Sequence, residues 1–270
     1  MLQALRCPFF LKAMAYAAPI GGLAGLIGLG GGEFRLPVLM RVIGFDAKSA
    51  IPINLATSLV TLAAALAFRG QALSLAAVTP HLPEIAGLAA GGIVGARAGA
   101  RLVTRLSDQR LHLLLSGLLL ALGVLLLVKA FTTDQPMSAL PDAIAWRSAT
   151  GIAFGAGIGL VSSVLGVAGG ELLIPLLILV FGADIKTAGT ASAIIALPIV
   201  IAGLLRYRRL GALPGWRAAY RMWTAMSLGS IAGAAVGAAL VVAAPAGALK
   251  FGLGLLLIYA AAKTPKPHRR

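Results

Sequence analysis

Residues 28–50, GLGGGEFRLPVLMRVIGFDAKSA, return without a gap at 166–188 as GVAGGELLIPLLILVFGADIKTA. Gly31/Gly169, Gly32/Gly170, Glu33/Glu171, Pro37/Pro175, Gly44/Gly182, Asp46/Asp184 and Lys48/Lys186 coincide. The same register sets Gly91, Gly95 and Gly99 on Gly229, Gly233 and Gly237. The chain has only three glutamates, and two of them share one repeat position. Any fold must therefore accommodate the same backbone twice. This predicts two homologous halves, 1–135 and 136–270, within one integral membrane domain, a plan common among transporters.

The surroundings of the repeat fix the solvent. The chain of 270 residues is 59% hydrophobic and 11% charged, against a charged share of about 25% in ordinary soluble domains. Its mean hydropathy is +0.95. Apolar runs long enough for a bilayer recur from end to end, and the longest polar connection is Lys129–Arg147. The fold class expected is an all-α polytopic membrane protein. Each half divides into five apolar segments, near 13–29, 33–45, 49–68, 80–103 and 111–130, then 149–167, 171–183, 187–205, 216–241 and 246–262. The second segment of each half, about 13 residues, is too short for a full span and suits a half-helix or re-entrant element. Eight to ten membrane segments are expected, with short or re-entrant helices at the glycine-rich breaks.

Several function classes drop out. The net charge of +15 comes from basic residues at the ends of apolar runs, with no basic-aromatic surface of the kind nucleic acid needs. Cys7 is the single cysteine, so no internal disulfide or thiolate metal site can form. His81, His112 and His268 are scattered, without metal-ligand spacing, and no cofactor is expected. No Ser/Lys dyad or zinc motif points to an enzyme. The N-terminal apolar stretch is superficially like a signal peptide, but it belongs to the first repeat.

The basic residues predict orientation. In the first half they gather between the fourth and fifth segments (Arg97, Arg101, Arg105, Arg110); in the second half that connection has Lys250 alone. Between the third and fourth segments the bias reverses: Arg69 alone in the first half, and Arg206, Arg208, Arg209, Arg217 and Arg221 in the second. Equivalent loops then lie on opposite faces, which implies inverted-topology repeats. Both termini read as cytoplasmic, in a multi-pass protein of the plasma membrane.

Irregular backbone in a bilayer must be buried in protein or line a cavity. Gly30, Gly31 and Gly32, with Gly169 and Gly170, permit a tight turn whose free N–H groups at a helix start favour an anion. Packing alone is the competing explanation. Glu33 and Glu171 are costly in a membrane and mark a functional site; proton exchange, cation binding and a helix-start dipole role remain open for them. Arg35, opposite Leu173 in the other copy, reaches an anion, pairs Glu33, or snorkels. Asn54 and its counterpart Ser192, with Thr57 and Thr190, are uncharged groups suited to completing a small-anion site or to gluing helices. Asp46 and Asp184 read as turn or cap residues, Ser49 and Thr187 as helix N-caps, and the GxxxG steps of the fourth segments as close helix contacts. Trp146, Trp216 and Trp223 read as interface anchors.

The doubled pattern G-[ILV]-G-G-G with a following proline resembles that of the sulfite exporter TauE/SafE family, also called the TSUP transporters. GLGGGEFRLP fits it fully; GVAGGELLIP fits with Ala168 in place of one glycine. The resemblance implies transport of small sulfur-containing anions or related organic acids, typically sulfite or sulfonates leaving the cytoplasm. The leading expectation is a secondary transporter working by alternating access; the alternatives are a cation-binding or carboxylate transporter using Glu33 and Glu171, or a non-transport membrane subunit. The substrate-binding set would be Gly30, Gly31, Gly32, Arg35, Asn54, Thr57, Gly169, Gly170, Thr190 and Ser192. Glu33 and Glu171 would couple protons, and they depart from the commoner apolar residue at that position. The expected partners are the anion and membrane lipid, with a homo-oligomer left open.

Overall fold

The computed structural model describes residues 7–103, 108–131, 141, 143–209 and 216–263. Among these residues the chain forms ten α-helices and no strand. They are α1 (Cys7–Ile27), α2 (Gly32–Pro37), α3 (Ala47–Ala72), α4 (Leu82–Val103), α5 (Asp108–Phe131), α6 (Ile144–Leu165), α7 (Gly170–Leu179), α8 (Ile185–Arg209), α9 (Trp216–Ala243) and α10 (Ala246–Lys263). A helix therefore stands at each of the ten expected apolar segments. Stretches within α1, α3, α6, α8 and α9 are long and apolar enough to cross a membrane.

The two short helices are the half-helices anticipated at the breaks. The α2 helix runs on from Pro37 into a π-helical turn, Val38–Val42, while α7 is a plain helix of 10 residues. At 1.5 Å per residue each is about 15 Å long, half of a hydrocarbon core of about 30 Å. Six glycines among the described residues have positive φ: Gly28, Gly31, Gly44, Gly166, Gly169 and Gly182. They form three pairs, Gly28/Gly166, Gly31/Gly169 and Gly44/Gly182, each in the register of the repeat. The duplicated sequence is therefore duplicated backbone. Gly31 and Gly169 hold the left-handed N-cap positions of α2 and α7, at φ 68° and 76°, where any other residue is strained.

The halves are interlocked. The α1 helix packs on α9, α4 on α6, α3 on α8, and α5 on α10. A Cβ placed on Gly229 or Gly233 would strike the backbone of Met14 or Ala18; one on Gly91 or Gly95 would strike Ile152 or Ala156. The two sets of contacts are equivalent under the repeat. The rising numbers on both partners make α1 parallel to α9 and α4 parallel to α6. The α3 and α8 helices run antiparallel: Gly203 approaches Leu55, and Arg69 reaches Thr190. The GxxxG stripes thus serve the close helix packing read from their spacing.

One charge lies elsewhere than expected. Arg69 belongs to the last turns of α3, fully buried, rather than to the following connection. Its Nη1 donates to the carbonyls of Gly25 (2.8 Å) and Leu26 (3.0 Å) at the end of α1. Its Nη2 donates to the Lys186 carbonyl at 2.6 Å and its Nε to Thr190 Oγ1 at 3.1 Å. Carbonyls left open at a helix end are suitable partners for a cation, and this lets an arginine end an apolar helix inside the protein.

Candidate functional site

The two glycine breaks, one from each half of the chain, touch. A Cβ on Gly30 would run into the Ala168 methyl group, and one on Gly170 would lie 3.3 Å from Leu29 Cα and 3.4 Å from Gly30 N. Absent side chains are what let the two strands of irregular backbone meet. Leu29 and Ala168, at the crossing, are fully buried, as membrane burial of non-helical backbone demands.

The polar groups of α3 and α8 stitch the crossing together reciprocally. Asn54 Nδ2 donates to the Gly166 carbonyl at 2.9 Å, and also to Gly32 at 3.0 Å. Its counterpart Ser192 donates through Oγ to the Gly28 carbonyl at 2.9 Å. Gly28 and Gly166 are themselves equivalent positions, so each half's third segment holds the other half's break. Ser162 adds a hydroxyl bond to the Val167 carbonyl.

Arg35 is fully buried and does not snorkel. Its Nη1 donates to Ser58 Oγ (3.1 Å) and, at 3.5 Å, to Asn54 Oδ1. Its Nη2 donates to the Gly30 carbonyl (3.2 Å) and to Thr61 Oγ1 (3.1 Å), and Nε has no partner among the described residues. The guanidinium thus sits directly behind the first break, bound to neutral oxygens. No described ion pair joins it to Glu33, although the two charges act on each other.

Glu33 and Glu171 stand in the first turns of α2 and α7 and lie close enough for their charges to act on each other. Both oxygens of Glu33, and Oε2 of Glu171, are buried without a donor among the described residues. The first N–H groups of each half-helix also precede any helical acceptor. Two unneutralised carboxylates that act on each other repel, and a proton or a cation shared by them removes the repulsion. Such an arrangement can exchange charge with a passing solute.

Ten of the twelve expected site residues meet at this crossing: Gly30, Gly31, Gly32, Glu33, Arg35, Asn54, Gly169, Gly170, Glu171 and Ser192. Thr57 and Thr190 are buried a turn away; Thr57 back-bonds to the Ile53 carbonyl, and Thr190 bonds to the Lys186 carbonyl and to Arg69. Asp184 caps α8, its Oδ1 accepting from the N–H of Lys186 (2.9 Å) and of Thr187 (3.1 Å). Thr187 is therefore capped rather than capping. Lys186 Nζ donates to the Val242 carbonyl at the end of α9. Thr61 escaped the sequence reading, its signal a polar side chain inside an apolar helical run, and Arg69 reads from sequence only as a charge of the following connection.

Residues 5–126 match the family model described as Sulfite exporter TauE/SafE. That span holds the first break, Arg35, Asn54 and Thr57, and it supports the assignment that the doubled glycine motif suggests. No curated protein and no solved structure matches the chain.

Proposed function

We propose, from the match of residues 5–126 to the Sulfite exporter TauE/SafE family model, a secondary transporter that exports a small anion of the sulfite or sulfonate type. The observation carrying this reading is the crossing of the two breaks, with Arg35 behind it and the Glu33–Glu171 pair beside it. The half-helix starts supply N–H donors and the favourable dipole end. Arg35 supplies a fixed positive charge, and a proton held by the glutamates offsets their repulsion toward the anion.

The reading includes alternating access, and the interlock of the two halves is consistent with it. Reciprocal contacts between α1 and α9 and between α4 and α6, antiparallel α3 and α8, and reversed loop charges all support inverted repeats that exchange conformations. The positive-inside rule then puts both termini on the cytoplasmic side. A cation-coupled or carboxylate transporter is the second reading, favoured by the unpartnered oxygens of Glu33 and Glu171.

Purified protein in liposomes, assayed with sulfite, thiosulfate, sulfonates and short carboxylates at two pH values, tests the proposal. Saturable sulfite or sulfonate flux, accelerated by an imposed proton gradient, is expected. Flux driven by a metal cation without any anion movement overturns it in favour of the second reading.

A further inference from the structure

Glu84, the third glutamate, lies apart from the breaks and is fully buried. His81 Nδ1 is 2.7 Å from its Oε1, and Arg147 Nη2 donates to the same oxygen at 2.9 Å. Arg147 Nε donates to Oε2 at 3.3 Å, while Nη2 also reaches the Phe181 carbonyl at 3.0 Å. Beside them Ser148 Oγ donates to the Pro83 carbonyl at 3.3 Å. One charged cluster therefore ties together the start of α4, the start of α6 and the turn that ends half-helix α7.

The repeat shows what this end has and the other lacks. In the repeat register Glu84 corresponds to Met222, His81 to Ala219, Arg147 to Phe9 and Phe181 to Ile43. Met222 and Ala219 lie in an apolar cluster with Ala13, Ala17 and Leu39, and Ile43 packs against it. Moreover, Arg147 fastens α6 to the end of α7. At the equivalent place, between α1 and the end of the first half-helix, there is instead a surface cavity of about 390 Å³, with Lys12, Tyr16, Val42 and Ile43 among its lining. One end of the protein is strapped by charge. The other is closed by apolar packing, with a cavity beside it.

We propose that Glu84 and Arg147, with His81, are positioning residues of the transport cycle. They form a strap that pins the end of α7 to α4 and α6, and it must part before that end of the pathway opens. Separating a buried pair strands a charge in a low-dielectric interior, whereas Met222, Ala219 and Ile43 at the other end carry no charge to strand. The strap thus biases the resting protein toward opening at the end where α1 and α9 begin. It assigns a job to the one glutamate that the repeat does not duplicate. This inference rests on the transporter reading for its meaning and on the cluster geometry for its existence.

The test uses a thiol reporter. With Cys7→Ser as background, Ala183→Cys is placed just beyond Phe181, where the native residue is 3% exposed. A charged, membrane-impermeant methanethiosulfonate is applied to each face of reconstituted vesicles in turn. Slow labelling is expected with the strap intact, and labelling at least tenfold faster from one face with Glu84→Gln. Arg147→Lys keeps the cation but loses the fork to Glu84 and Phe181; it is expected to act in the same direction and carries the test where Glu84→Gln does not fold. Sulfite KM and kcat are expected to change unequally in both variants. Unchanged labelling from both faces in a folded variant overturns the strap. Labelling needs no substrate, so a protein that moves no anion yet shows the tenfold change defeats the transport reading and leaves the strap standing.

Discussion

At the scale of single residues, Asn54 carries more structure than any other uncharged side chain of the crossing. It donates to Gly32 and Gly166 and accepts from Arg35. Asn54→Ala strands two carbonyls and weakens the hold on a buried guanidinium, at a cost of about 2–4 kcal/mol. Asn54→Ser copies Ser192 and is expected to cost less; thermal unfolding in detergent ranks the two. Ser227 and Ser230 are the reverse case. Both are buried in α9 with hydroxyls that have no partner among the described residues. Ser227→Ala and Ser230→Ala are expected to leave stability within about 0.5 kcal/mol or raise it, because no hydrogen bond is lost. A fall in melting temperature comparable to that of Asn54→Ala would show hidden partners.

At the scale of elements, the glycines of the interlocked helices sort into two groups. Gly233 meets the Ala18 carbonyl so closely that no Cβ fits, whereas a Cβ on Gly157 in α6 meets nothing within 4 Å. Gly233→Ala is expected to push α1 off α9 and lose about 1–3 kcal/mol or more. Gly157→Ala is expected to be neutral or to gain up to about 1 kcal/mol in helix propensity. Comparable unfolding of the two variants would deny the α1–α9 contact. These stripes were legible in advance, because GxxxG spacing puts small residues on one helix face whatever the partner. The partner was not. Nothing within α1 says that it packs on α9 rather than on α4, and this exchange is what brings the breaks together.

At the scale of the whole molecule, the crossing, the buried glutamates and Arg35 predict one behaviour. Glu33→Gln and Glu171→Gln are each expected to cut proton-driven anion flux at least tenfold and to flatten its pH dependence. Proteoliposomes with an imposed gradient measure this. Full proton-driven flux in the double variant would remove the pair from coupling. The inverted repeats proposed above make a second prediction: tags at both termini react with an impermeant reagent only from the cytoplasmic face.

The sequence by itself determined the apolar helical segments, the short second segment of each half and the two glycine-rich breaks where the backbone is free to turn. All of these follow from local chemistry: runs of apolar side chains, the reach of a helix turn, and the freedom of a residue without Cβ. Only the tertiary structure decided which groups meet. Asn54 with Gly166, Ser192 with Gly28, Arg69 with Lys186 and Glu84 with Arg147 lie 63 to 164 residues apart. Arg69 read as a loop charge for the same reason. An arginine at the end of an apolar run looks alike whether it faces water or the carbonyls of another helix, because its neutralising partners come from elsewhere in the chain.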